Sequence, residues 1–477
     1  MMGIKKEEIT RKGENKVTYD TPDDILQEGV KYFENKEHEN ALRAFNHLMT
    51  YHGPQAILLF YIGSVQMQLG NYGLAKFLLQ EAIKQRPEFP EAINNLGYCH
   101  HVRAEYDEAA KCFAKAHEMM PESADMLNNI MSLYINNGTP DEAIKWANKA
   151  LEIDKDHADA LWNRGLAYLE QGKWKEGWEG YESGKVTKAR QIRNYSGNKD
   201  EKTPEWDGKT KGTVVVYGEQ GIGDEILFAS MLPDVMKHAE VIFECHPRLK
   251  NLFHNSFPHI PIYGTRKDNE IIWPKWHGKI DYCISIGSLG KFYRLKNDDF
   301  PGTPYLKADP LLIPEYKKGD KKRIAIHWKG GTLGTNKSYR SVPLDMWKDL
   351  ILDNQDKAEF ISLQYTDEAA DQVRDFNEKY GTSIIHQQDV VDNMDLTAAM
   401  LSNVDLVISV CTSIVHLSGA MGVKCWCLGP NRIAWRYGMK GDMHWYKSVK
   451  MFRQEKDKHE WLPVMERVNS ELKEFLC

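Results

Sequence analysis

The sequence predicts an α-helical repeat array followed by two doubly wound α/β lobes. Two observations carry this. Small residues recur at a step of 34 through the first half, and after Gly212 short β-branched runs alternate with helix-period segments. Length agrees, because 477 residues exceed what one hydrophobic core usually supports.

In the first half, Gly29, Gly63, Gly97, Met131 and Gly165 fall on one 34-residue register, and Ala41, Ala75, Ala109, Ala143 and Gly177 on a second. Pro87 and Pro121 share the step. Each unit reads as helix–turn–helix. The first small residue lets helix A approach helix B, the alanine sits at their crossing, and proline ends the unit because it cannot continue a helix. This is the tetratricopeptide (TPR) pattern. About five units fill residues 21–193, preceded by a charged tail over 1–20 that is expected to be flexible. Stacked units form a superhelix whose concave face suits extended peptide. Asn95 and Asn129, one period apart, offer amides that donate and accept, as a peptide clamp requires; a solvated helix face is the plainer alternative.

The repeat pattern fades into the charged, glycine-bearing stretch 194–211, which reads as a linker. From Thr213 the strand segments are TVVVYG, VIFECHP and DYCISIGS, and after a break near 309–322 they are RIAIHWKGG, AEFISLQY, SIIHQQDV, DLVISV and KCWCLGP. Helical segments lie between them, and alternation of this kind implies parallel sheets covered on both faces. The first Rossmann-like lobe is placed at 212–320 and the second at 321–477, closed by the amphipathic segment WLPVMERVNSELKEFL. Ligands in such sheets sit beyond the carboxyl ends of the strands.

Three strand-end segments are candidates for chemistry. The first, GEQGIGDE, carries Gly221 and Gly223, which allow close approach of a substrate, and Asp224, which reads either as a helix N-cap or as a general base. It lacks the lysine and serine of a phosphate-binding loop and the third small residue of a dinucleotide fingerprint. The second segment, ISVCTSIVHLSGAMG, ends a strand at Val410 and starts a helix near Thr412. The helix N-terminus and the hydroxyls of Thr412 and Ser413 suit a pyrophosphate, with His416 one turn on. The third runs from His327 through Lys329 and Lys337 to Arg340 and supplies cations.

Bulk properties narrow the classes. A net charge of −6 argues against a general nucleic-acid binder. No stretch approaches the ~20 apolar residues of a membrane helix, and the charged N-terminus has no signal-peptide core. Eight cysteines without a C-x-x-C pair point to free thiols in a reducing cytoplasm, with Cys425 and Cys427 sharing one strand face. The only D-x-D, Asp154-Lys-Asp156, falls in a turn between repeats, so no metal site is expected.

The segments GEQGIGDEILFASMLP, IHWKGG…RSVPL, SVCTSIVHLSGAMG and WRYG…WYKSVKMFRQ resemble those of bacterial and phage proteins that join TPR repeats to a GT-B glycosyltransferase domain. That domain is related to the heptosyltransferases and, more distantly, to the O-linked N-acetylglucosamine transferases. The resemblance covers most of the chain, and the order of its motifs is specific. It implies that Asp224 stands where an aspartate is proposed as catalytic base. Arg340 stands where a lysine contacts donor phosphate, and Thr412, Ser413 and His416 in the turn that holds donor diphosphate and sugar. Heptosyltransferases carry an aspartate immediately before the threonine; in this chain it is Cys411, which argues against ADP-heptose as donor. The implied function is metal-independent, inverting transfer of a sugar from a nucleotide-sugar to an acceptor hydroxyl, without a cofactor. The TPR array would present the acceptor, a protein or peptide, and self-association through the repeats is open. The alternative is a non-catalytic TPR scaffold with a degenerate transferase domain.

Overall fold

The 34-residue register becomes helix pairs with the small residues at their crossings. In the computed structural model the described residues are 7–10, 16–19, 21–103, 105–196, 201–313, 321–331, 339–455 and 460–477. They form two compact units, Met1–Ala160 and Leu161–Cys477. In the first unit the pairs are α1 (Pro22–Glu34) with α2 (His38–His52), α3 (Ala56–Gln68) with α4 (Tyr72–Gln85), α5 (Pro90–Val102) with α6 (Tyr106–Met119), and α7 (Ala124–Asn136) with α8 (Pro140–Ile153). A Cβ added to Gly97 would lie 2.8 Å from Phe113 Cδ1, and one on Gly29 2.6 Å from Phe45 Cε1. Ala41, Ala75, Ala109 and Ala143 are all buried. Thr21 caps α1 and exchanges hydrogen bonds with Asp24 as a capping box. The stretch expected as a flexible tail contains β1 (Glu7–Thr10) and β2 (Lys16–Tyr19), paired antiparallel with Ile9 opposite Val17.

The last helix pair is α9 (Ala158–Glu170), which falls in the second unit from Leu161 on, and α10 (Trp174–Tyr181); Gly165 and Gly180 bring the two backbones together. The first sheet of the second unit has β3 (Thr213–Tyr217), β4 (Glu240–Glu244), β5 (Ile262–Tyr263) and β6 (Tyr282–Ser285) in the order β5-β4-β3-β6, all parallel. Helix α11 (Ile222–Phe228) follows β3. A 3₁₀ turn over Ala229–Met231 then separates it from the short α12 (Leu232–Val235). Pro233 begins a fresh turn there instead of continuing the first. Helices α13 (Lys250–Ser256) and α14 (Gly290–Tyr293) complete this layer.

The second sheet has β7 (Lys322–His327), β8 (Ala358–Ser362), β9 (Ile385–His386), β10 (Leu406–Val410), β11 (Cys425–Gly429) and β12 (Val449–Arg453). Their order is β12-β11-β10-β7-β8-β9, again parallel throughout. Its helices are α15 (Lys348–Leu352), α16 (Ala369–Tyr380), α17 (Gln388–Asp392), α18 (Met394–Leu401), α19 (Ser413–Met421) and α20 (Leu462–Leu476). The segment SIIHQQDV, read as a strand, spends only two residues in β9 before turning into α17. The amphipathic closing helix is α20, with Val464, Met465, Val468 and Leu472 buried in the core under this sheet.

Within the stretch 194–211, read as a linker, the described residues 194–196 and 201–211 pack onto the first sheet. Tyr195 and Trp206 are 3% and 1% exposed, and Glu205 bridges Cys283 in parallel beside β6. Just before it, Arg190 is fully buried and uses its guanidinium completely. It donates to Glu219 Oε2 (2.8 Å), Tyr181 O (3.0 Å), Glu182 Oε1 (2.9 Å), Ser285 Oγ (2.5 Å) and Ser288 Oγ (2.7 Å). Arg193 ion-pairs with the buried Glu244 at 2.7 Å. Removing one partner of a buried pair strands the other charge, whereas removing both is far milder. Arg190→Met is therefore expected to cost about 3–5 kcal/mol in urea unfolding, with much of it recovered in Arg190→Met/Glu219→Gln. Equal losses in the single and double variants would contradict this.

Candidate functional site

Parallel sheets leave a crevice where the chain reverses its direction of strand addition. In the second sheet that point lies between β7 and β10, whose neighbours β8 and β11 are added on opposite sides. In the first sheet it lies between β3 and β6. The three segments singled out from sequence leave the ends of β3, β7 and β10, so the topology places each at a switch point.

Thr412, in extended conformation, caps α19 and accepts from the Ile414 N–H at 3.4 Å. Its methyl group closes against Gly330, where any Cβ would overlap it. Its hydroxyl faces His327 Nδ1 at 3.5 Å. Ser413 opens the helix, whose first-turn N–H groups and positive dipole end suit an anion. His416 is buried between Gly223 and the rings of Tyr437 and Tyr446, 5.3 and 6.0 Å away. A Cβ on Gly223 would lie 2.9 Å from His416 Cδ2 and 3.4 Å from Ser413 Cα. The glycine-rich turn of the first lobe thus rests directly on the helix start of the second.

Asp224 is not the N-cap of α11; Gly221 is, with an extended backbone, and Asp224 occupies the third helical position. There Asp224 Oδ2 accepts from the Gly221 N–H at 3.1 Å, while Oδ1 ion-pairs with Arg436. Gln220, just before, has φ of 61°, a left-handed conformation that costs a non-glycine residue strain and recurs at functional sites. Arg340 and Arg436 both lie close enough to His416 to disfavour its protonation. Lys329 turns elsewhere. Its ammonium is 3.7 Å from Glu368, and it lines a cavity of about 570 Å³ with Trp328, Val342 and Phe376. Lys337 lies outside the described residues. The buried Cys411 thiol points to Cys427 Sγ (3.7 Å) and Leu428 O (3.6 Å), under the neighbouring strand. Cys425 and Cys427 are buried free thiols, as their shared strand suggested. Among the described residues, no His, Cys, Asp or Glu side chains group in threes to hold a metal ion, and no helix is long and apolar enough to cross a membrane.

Burial, then the charges of Arg436 and Arg340, lowers the His416 pKa to about 3. Burial alone does the same for His327, also to about 3. Both imidazoles are therefore neutral in the fold, and both take up protons near pH 6.5 once unfolded. Between pH 6.5 and about 3 the unfolded chain binds more protons, so stability falls as pH drops through that window. Each histidine contributes up to about 1.4 kcal/mol per pH unit. Urea unfolding of His327→Gln is expected to lose roughly 1 kcal/mol less per pH unit than the parent between pH 6 and pH 4. Parallel pH curves would show that His327 titrates in the folded state.

Sequence reasoning missed Arg436, whose signal was its place in WRYG. It noted His327 only as the start of a cationic loop, although a polar residue closing an apolar strand hinted at more.

Family models for "TPR repeat" and "Tetratricopeptide repeat" match residues 132–172 and 60–119. Residues 60–119 and 132–172 are tetratricopeptide repeats. Over 335 residues the chain is also 26% identical to Protein FlbA of Caulobacter vibrioides. That match covers 65% of this chain and 54% of FlbA, so the chain spans about half the length of that relative. Among solved structures it is similar to a thermophilic TPR protein of Thermus thermophilus, at 17% identity, covering 34% of this chain and 89% of that one, with a TM-score of 0.32. It is likewise similar to Pseudomonas aeruginosa pilF, at 15% identity, covering 36% and 78%, with a TM-score of 0.32.

Within the TPR repeats the two singled-out asparagines link successive A helices. Asn95 Nδ2 donates to Ser64 Oγ and Asn129 Nδ2 to Asn94 Oδ1, each at 3.0 Å. Their amide N–H groups thus stitch neighbouring repeats together, a role not foreseen from spacing alone.

Proposed function

We propose that the second unit is a GT-B-type glycosyltransferase that uses a nucleotide-sugar donor, and that the TPR repeats recruit a protein or peptide acceptor. The observation that carries this reading is the packing of Gly223 on Ser413 and His416 at the start of α19, beside the ion pair of Asp224 with Arg436. A diphosphate at that helix start gains its dipole and N–H groups, and the guanidiniums of Arg340 and Arg436 neutralise the charge that develops as the sugar leaves. Neutral His416 then donates or accepts a hydrogen bond without adding charge. When the diphosphate binds, Arg436 exchanges Asp224 for phosphate oxygen and frees Oδ1 to take the acceptor hydroxyl's proton. A direct displacement of this kind inverts the sugar's configuration, and the two guanidiniums take the place a metal ion would otherwise fill. Gly221 lets the donor approach the backbone, and Thr412 holds the turn. In the repeats, Asn95 Oδ1 and Asn129 Oδ1 take peptide N–H groups. The test is release of nucleoside diphosphate from a panel of nucleotide-sugars with a chelator present. Release from one donor supports the reading; release abolished by the chelator contradicts its metal independence.

A scaffold without turnover is favoured by one observation. Arg436 and the Gly221 N–H engage both oxygens of the carboxylate placed to act as base. Absence of release with every donor, together with partner binding through the repeats, would establish it.

A further inference from the structure

The carboxyl ends of β10, β7 and β8 are neighbours in the second sheet, and side-chain contacts join the residues found there. Thr412, past β10, sets its hydroxyl 3.5 Å from Nδ1 of His327, the last residue of β7. Tyr365, past β8, stacks its ring on His327, with centroids 5.3 Å apart and planes 27° from parallel. The tyrosine thus lies two contacts from the start of α19, across the end of β7.

This shelf of strand ends is tied together by its backbone. Gln364, fully buried, accepts from the Lys329 N–H and donates to the Lys329 carbonyl, each at 2.9 Å. Gly330, next in the chain, closes on the Thr412 methyl group. The segment that carries Tyr365 is therefore fixed to the loop after β7, and that loop to the start of α19.

Exposure sets Tyr365 apart from the other rings of this region. Tyr437 and Tyr446, beside His416, are 3% and 1% exposed, and His327 is buried, whereas Tyr365 is 39% exposed. A single exposed aromatic residue carries no meaning by itself; position gives this one a role. Neighbouring strands lie about 4.8 Å apart, so the ends of β10 and β8 are separated by roughly 10 Å. A nucleoside diphosphate has the matching build. With its phosphates on the first-turn N–H groups of α19, its ribose crosses the end of β7 and its base arrives beside Tyr365. There an open π-surface meets a flat heterocycle, as every nucleobase is. We infer that Tyr365 is the stacking platform for the base of the donor. The inference rests on the reading of the α19 start as a diphosphate site. It adds that donor affinity is divided between a charged end at α19 and a stacked end at β8. Stacking needs no particular hydrogen-bonding edge, so Tyr365 favours a nucleoside over a bare or lipid-linked diphosphate without choosing among bases.

Calorimetric titration of the full chain tests this with ADP, GDP, UDP and CDP, and with inorganic pyrophosphate, which has no base. In Tyr365→Ala the nucleoside diphosphate that binds the parent best should weaken about tenfold or more, and in Tyr365→Phe it should stay within about threefold. Pyrophosphate should bind the parent and Tyr365→Ala alike. Tyr365→Leu still covers His327 but has no π-face, and it decides should the alanine variant fail to fold. A nucleoside diphosphate affinity unchanged in the alanine or leucine variant overturns the inference. So does an equal loss of pyrophosphate, which would make Tyr365 a packing residue that shapes the start of α19. In both cases nucleotide binding that is lost in Arg340→Ala leaves the diphosphate reading standing. Absence of binding by pyrophosphate and by every nucleoside diphosphate in the parent overturns both together.

Discussion

Asp224→Asn is expected to lower turnover of the nucleotide-sugar by about 10²–10⁴-fold while leaving nucleotide affinity within a few-fold. Asparagine has the same shape, and its side-chain oxygen still accepts from the Gly221 N–H that Asp224 now holds at 3.1 Å. The start of α11 should therefore keep its geometry, and Gly223 its contact with His416. What disappears is a carboxylate able to take a proton. Losing the Arg436 partner releases that guanidinium towards the diphosphate, so donor binding should hold or tighten slightly. Turnover within tenfold of the parent would remove Asp224 from the chemistry and leave it a helix-capping residue.

The second large effect is on donor binding. Arg340→Ala and Arg436→Ala are each expected to weaken a nucleoside diphosphate by about 10–100-fold, since a hydrogen bond to a charged group contributes roughly 1.5–3 kcal/mol. The two positive charges flank one buried histidine, so their losses should be coupled in the double variant. Arg436→Ala carries an additional signature: it frees Asp224 Oδ1 in the ligand-free protein, whereas Arg340→Ala does not. Calorimetric titration of the purified variants measures both effects. Affinities unchanged in both variants would place any bound nucleotide elsewhere.

How much of this was legible in the sequence depends on whether the information is local. The 34-residue step was legible because Gly29, Gly97 and Ala109 are fixed by contacts inside one helix pair. The strand ends were legible because apolar runs such as Val214–Val216 are buried on both faces of a parallel sheet. The edge strand β12 went unread because only Val449 and Phe452 of its five residues are buried. The stretch 194–211 looked like a linker because isolated Tyr195 and Trp206 have no periodicity; their burial is set by β3 and β6, distant in sequence. Within the site, Thr412, Ser413, His416 and Asp224 were found from helix-start chemistry. The ion pair of Asp224 with Arg436 spans two lobes and a loop, and no local pattern encodes it. Asn95 and Asn129 were placed on the right helices, but their side-chain partners, Ser64 and Asn94, come from the preceding repeat. Cys411 was read as a departure from an aspartate, and its neighbours under β11, Cys427 and Leu428, come from a different strand.

The central claim is that the helix start at Ser413, with Arg340 and Arg436, is a nucleoside-diphosphate site. Its most direct test is the thermal stability of the full chain against nucleoside diphosphates and their sugar conjugates. At 100 times its dissociation constant a true ligand adds about 2.7 kcal/mol of stability. The account predicts a clear rise in melting temperature with one base, greatly reduced in Arg340→Ala. No rise with any nucleotide at millimolar concentration would contradict it and leave the repeats as the working part of the molecule.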